Sequence, residues 1–131
     1  MDSTEIPFLP ATELSALIRS GDVSPVEAAK AYLDRIGQID GKLNSYITVC
    51  RDEALAEAQQ KPKEIADGTS QATIHGMPVA VKDQFYTKGI RTTGGSAILK
   101  DLVPNEDATV VANLKAAGSV LLGKRNMGKY A

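Results

Sequence analysis

Gly76-Met77-Pro78-Val79-Ala80-Val81-Lys82-Asp83 marks the point where the chain changes character. Gly76 and Pro78 open a short apolar run, and Lys82-Asp83 closes it with two opposite charges. An uninterrupted run bounded in this way predicts a strand buried on both faces. The charged pair then lies at the carboxyl end of the strand, the edge at which open α/β sheets place their ligands.

Downstream, Thr87 to Gly95 is a Gly- and Thr-rich connection. Asp107 can cap a helix that runs to Ala117 with Val111, Leu114 and Ala117 inward, and Gly118 stops it. Ser119-Val120-Leu121-Leu122 follows as a second buried strand, so this half reads strand, connection, helix, strand, the signature of a parallel α/β unit. Upstream, Leu14, Leu17 and Ile18 recur at helical spacing within Thr12–Ser20, and Gly21 ends that helix. Ser24-Pro25-Val26-Glu27 carries a capping box with proline at the first helical position, which predicts a helix from Pro25 to about Ile39 with Val26, Ala29, Leu33 and Ile36 buried. Tyr46–Val49 reads as a short extended piece, Arg51–Gln60 as a third helix ended by Pro62, and residues 61–73 as a surface loop. The expected architecture is α/β: one domain over residues 1–131, helical through residue 73, with the α/β core beginning at residue 74.

Composition removes whole classes of function. The chain has 131 residues, 15 Lys+Arg against 16 Asp+Glu, and one cysteine, Cys50. A lone cysteine forbids an internal disulfide framework. A net charge of -1 supplies no global positive field for phosphates, so no nucleic acid is expected to bind this segment directly. The apolar runs are far shorter than the roughly 20 residues that span a bilayer. The acidic start Met1-Asp2-Ser3-Thr4-Glu5 lacks the basic and apolar parts of a secretory signal, so a cytoplasmic location without membrane attachment is expected.

Few residues carry chemistry. Gly118 to Arg125 imitates a phosphate-binding loop, but Arg125 replaces the hydroxyl that magnesium needs, and the intervening residues form the apolar strand itself. His75 is the only histidine, which excludes a histidine-clustered metal site, and beside Gly76 it reads as structural. Cys50 reads as a small apolar filler, and Ser96 in Thr92-Thr93-Gly94-Gly95-Ser96 as part of a turn. Lys82 stands apart. Partial burial at a strand end disfavours the charged form of a lysine, and a neutral lysine can accept a proton. The alternatives are a lysine that snorkels to solvent or one that pairs with Asp83.

Several blocks together resemble the amidase signature family: Gly76 to Asp83, Thr87-Lys88-Gly89, Thr92 to Ser96, Glu106-Asp107-Ala108-Thr109-Val110-Val111, and Leu114 to Gly118 continuing into Gly123-Lys124 and Asn126-Met127. The amino-terminal Glu13-Leu14, Ser24-Pro25 and Arg35-Ile36 also look like that family. The resemblance implies part of a mixed β-sheet flanked by helices and, in a complete enzyme, hydrolysis of small-molecule carboxylic amides, or release of ammonia from glutamine as the A-type component of an amidotransferase with partner subunits. It places the catalytic lysine at Lys82, the base of a Ser-Ser-Lys arrangement, and requires no cofactor and no metal. Residues that bind substrate are left unassigned.

The chain also departs from the family's pattern. The Gly-Ser-rich segment and both serines lie downstream of Asn126-Met127, so the chain read as an amino-terminal fragment is expected to be inactive alone and to self-associate or meet partners through uncovered sheet edges. The family's Gly-Lys-Thr-Asn-Met-x-Glu-Phe-like end stands here as Gly123-Lys124-Arg125-Asn126-Met127-Gly128-Lys129-Tyr130. The other reading is a naturally short, non-catalytic binding or assembly module on the same scaffold.

Overall fold

The computed structural model describes residues 1–69 and 72–129. After a 3-10 turn at Ile6–Phe8, the elements are α1 (Ala11–Ser20), α2 (Pro25–Leu43), β1 (Tyr46–Val49), α3 (Arg51–Ala58), α4 (Lys61–Ala66), β2 (Pro78–Lys82), α5 (Thr109–Ala116) and β3 (Val120–Arg125). The sheet order is β1-β3-β2, with β2 parallel to β3 and β1 antiparallel to it. The fold is therefore α/β with a small mixed sheet.

Local chemistry explains the start of α2. The Ser24 hydroxyl accepts the Glu27 N–H at 3.1 Å, and the Glu27 carboxylate accepts the Ser24 N–H at 2.8 Å, which closes the expected capping box. The helix outruns its expected end by a turn. Gly41 does not stop it; Asn44, left-handed at φ 52°, does, donating its N–H to the Asp40 carbonyl.

Helices cover both faces of the sheet. Val120 and Leu122 of β3 pack with Ala29 and Leu33 of α2 and Ala54 and Ala58 of α3, whereas Leu121 packs with Val81 of β2 and Val111 of α5. A third cluster, around Leu14, Ile18 and Met77, seats α1 beside the start of β2. β3 is central and buried through Lys124. β2 is an edge among the described residues, so Val79 and Ala80 are half-buried and not covered on both sides as expected.

Other expectations need correction. Residues 61–66 form α4 instead of loop, because Pro62 suits a first helical turn and the Lys61 ammonium is buried against Glu64 at 3.1 Å and Glu57 at 3.8 Å. The loop reading at residues 70 and 71, and Tyr130 of the terminal motif, fall outside the described residues. Ala108, not Asp107, precedes α5. Asp107 instead accepts the Lys88 N–H at 2.7 Å and the Lys115 ammonium at 2.9 Å, which ties the connection after β2 to the helix. Burial alone would raise its pKa, but these hydrogen bonds outweigh burial and lower it.

β3 continues three residues past its expected end, through Gly123 to Arg125. A Cβ at Gly123 would stand 2.3 Å from the Thr48 carbonyl oxygen, so glycine is what lets β1 approach here. Val79 pairs with Leu121 but Ala80 pairs with Gly123, leaving Leu122 as an extra residue in β3. That bulge shapes the site.

Candidate active site

Strand alternation alone would send Lys124 to the α2/α3 face with Val120 and Leu122. The extra residue at Leu122 shifts the register, so Lys124 pairs with Val81 and lies on the α5 face. On β2 the same alternation puts Lys82 on one face and Asp83, just past the strand, on the face of Val81. The bulge thus brings Lys124 to Asp83.

Both groups are fully buried, and the Lys124 ammonium lies 3.5 Å from Asp83 Oδ1. The ammonium donates to the Phe85 carbonyl at 2.9 Å and to Thr92 Oγ1 at 2.7 Å. Asp83 Oδ2 accepts the Thr93 N–H at 2.9 Å and the Thr93 hydroxyl. Oδ1 accepts no well-aligned hydrogen bond among the described residues, so its contact with Lys124 is one of charge. Burial pulls the pKa of Lys124 below the usual lysine range, and the Asp83 carboxylate opposes that shift without cancelling it. Main-chain bonds complete the clamp: Asp83 donates its N–H to the Arg125 carbonyl at 3.0 Å, and its own carbonyl accepts the Gly94 N–H at 3.1 Å.

Lys82 sits on top of this network. It is the register partner of Arg125, and both side chains are exposed at the carboxyl end of the parallel pair. The expected partial burial of Lys82 is absent within these residues, since no described element covers that end of β2. Asp83 is not its partner either; the carboxylate turns inward to Lys124. Arg125 leans toward β1, where Nε donates to the Ser45 carbonyl at 3.3 Å and the guanidinium lies 5.5 Å from the Tyr46 ring centre.

The remaining candidates fall elsewhere. His75 is buried at the opposite end of the sheet, with Nε2 3.2 Å from Glu64 Oε2 but not aligned for a hydrogen bond. Cys50 is buried, and burial raises the pKa of its thiol, seconded by Glu53. Ser96 is buried in the turn after Gly95, where its N–H bonds the Thr93 carbonyl at 3.0 Å. The phosphate-loop imitation has no loop: its residues are β3, and its lysine is consumed by Phe85, Thr92 and Asp83. Among the described residues no three His, Cys, Asp or Glu side chains gather to hold a metal, and no helix is long and apolar enough to cross a membrane.

Sequence reasoning does not find Lys124. A cation inside an otherwise apolar strand must be paired or hydrogen-bonded, and that signal is present at Val120-Leu121-Leu122-Gly123-Lys124. Its partners, 32 to 41 residues away, are not readable from spacing.

Two parallel strands, helices on both faces and charge gathered at the strands' carboxyl ends define an α/β core with a polar edge. The sequence profile of the Amidase family matches residues 27–131, and the chain belongs to that family. It is 48% identical over 119 residues to the A-type component of the glutamyl-tRNA(Gln) amidotransferase of Geobacter sp. (strain M21), covering 91% of this chain and 24% of that protein. With the same component from Marinobacter nauticus the identity is 50%, over 91% of this chain and 24% of the relative. The solved peptide amidase of Stenotrophomonas maltophilia superposes with a TM-score of 0.88 at 32% identity, covering 96% of this chain and 26% of that one. The chain thus spans about a quarter of the length of these relatives, and it corresponds to their amino-terminal portion.

Proposed function

We propose that these residues are the amino-terminal part of an amidase that hydrolyses a carboxylic amide to the acid and ammonia, with Lys82 as the base of a Ser-Ser-Lys arrangement. The observation that carries this reading is the placement of Lys82: exposed at the carboxyl edge of β2, free of ion pairs among the described residues, and seated on a fully buried clamp. Both serines come from residues beyond this stretch, so the 131 residues alone are inactive. The neutral amine takes the proton of the nucleophilic serine through the bridging serine, and returns it to the departing ammonia.

Identities of 48% and 50% with amidotransferase components of the A type, against 32% with the peptide amidase, favour glutamine as the amide and partner subunits as the acceptor of its ammonia. The test is ammonia release from glutamine and from peptide amides by the complete chain from its source, beside Lys82→Ala. We expect turnover in the parent and its loss in the variant. Turnover by Lys82→Ala at the parental rate would end this reading.

A further inference from the structure

We propose that Lys124 is a positioning residue for this reaction, holding Asp83 and the turn beyond it so that the Lys82 amine is presented in one direction. The inference rests on the reading of Lys82 as the base. Four observations carry it.

Lys124 is completely buried, yet it sits in a sheet where an apolar side chain would cost less. The fold spends a β-bulge at Leu122 to turn it toward Asp83, and bulges beside active sites commonly re-aim a side chain in this way. Its ammonium joins three segments, β3, the turn at Phe85 and the loop at Thr92, through bonds of 2.7 and 2.9 Å and the 3.5 Å contact with Asp83. Finally, Asp83 is engaged through its N–H, its carbonyl and both carboxylate oxygens, so the residue after Lys82 has no freedom to rotate. Lys82 and Asp83 share a peptide unit. A fixed Asp83 fixes the direction in which the Lys82 side chain leaves the strand.

A base is effective only when held at reacting distance, and a displacement of about 1 Å can cost about 100-fold in rate. Lys124 does not reach the Lys82 edge itself, since it lies on the other face of the sheet. Its contribution passes through Asp83.

The experiment compares kcat and KM in the complete chain for the parent, Lys82→Ala, Lys124→Met and Thr92→Val, at a temperature where circular dichroism shows each folded. Retained turnover in Lys82→Ala would show that the base has been misread, and the positioning role falls with it. With Lys82→Ala inactive, Lys124→Met is expected to lower kcat by about 10- to 100-fold with KM within about twofold. A side chain that only supports the fold would lower Tm and leave kcat of the folded variant at the parental value. Parental kcat in folded Lys124→Met overturns the proposal. If Lys124→Met does not fold, Thr92→Val decides. It removes one acceptor of the ammonium and the hydroxyl's own bond to the Ile90 carbonyl, and is expected to lower kcat roughly 3- to 10-fold at unchanged KM. Parental kcat there overturns the proposal as well.

Discussion

The two ends of the parallel pair β2–β3 are held by different physics. At the amino end the backbones meet closely: Gly76 donates its N–H to the Gly118 carbonyl at 2.8 Å, Val120 donates to Met77 at 2.8 Å, and the His75 ring lies flush against Gly118. At the carboxyl end a buried ion pair and two threonines occupy the space beneath Lys82 and Arg125. One end is held by shape and the other by charge. The charged end leaves the Lys82 and Arg125 side chains exposed above it, whereas the shaped end is closed by His75 against Gly118.

Breaking the charged end should do the most damage. Asp83→Ala leaves the Lys124 ammonium buried without its counter-ion and frees the Thr93 N–H, which should destabilise the fold by about 3–5 kcal/mol in urea unfolding. A loss below about 1 kcal/mol would show that Lys124 reaches water once its partner is gone, and the contrast between the ends would fade. Breaking the shaped end should cost somewhat less. A Cβ at Gly118 would stand 2.1 Å from His75 Nδ1 on a backbone at φ +80°, so Gly118→Ala should lose about 2–3 kcal/mol. Adding His75→Ala should recover the steric part and leave the backbone part, the non-additivity expected of residues in contact.

These two ends are unequally legible in the sequence. Gly118 reads as a helix stop, and its left-handed backbone agrees, but that His75 needs its missing Cβ cannot be seen across so long a separation in the chain. Strands and caps are readable where the signal is local, as in the Ser24–Glu27 box and the apolar runs at Val79 and Val120. α4 escapes such a reading because one and a half turns with a single large apolar residue, Ile65, offer no period. Asp107 has the sequence context of a cap, yet its side chain has better partners in Lys88 and Lys115. The site is half-visible: Lys82 stands out by its place at a strand end, and Lys124 is hidden because a bulge breaks the alternation by which its face would be inferred.

A smaller effect sharpens the electrostatic side. Burial lowers the pKa of Lys124 in the folded chain, against about 10.4 when unfolded. Between those two values the unfolded chain holds a proton that the folded chain has released, so the Lys124 contribution to stability rises with pH across that window. Tyr32 and Tyr46, whose pKa values burial raises, act with the opposite sign above about pH 10. They remain in both proteins when the parent is compared with Lys124→Met. The stability of the parent minus that of the variant should therefore increase as pH approaches about 10.4; a flat or falling difference would mean that the ammonium stays protonated throughout.

The smallest expected effect is the most informative about function. Lys82 is exposed, packs in none of the three apolar clusters and makes no ion pair among the described residues, so Lys82→Ala should change stability by less than about 0.5 kcal/mol. Its neighbour Asp83, one peptide bond away, should cost several times more. If that steep contrast between adjacent residues is found, Lys82 is a residue the fold does not need, held in place by one it cannot lose. A large stability loss in Lys82→Ala would instead make it part of the framework, and its place at the strand end would then need no catalytic explanation.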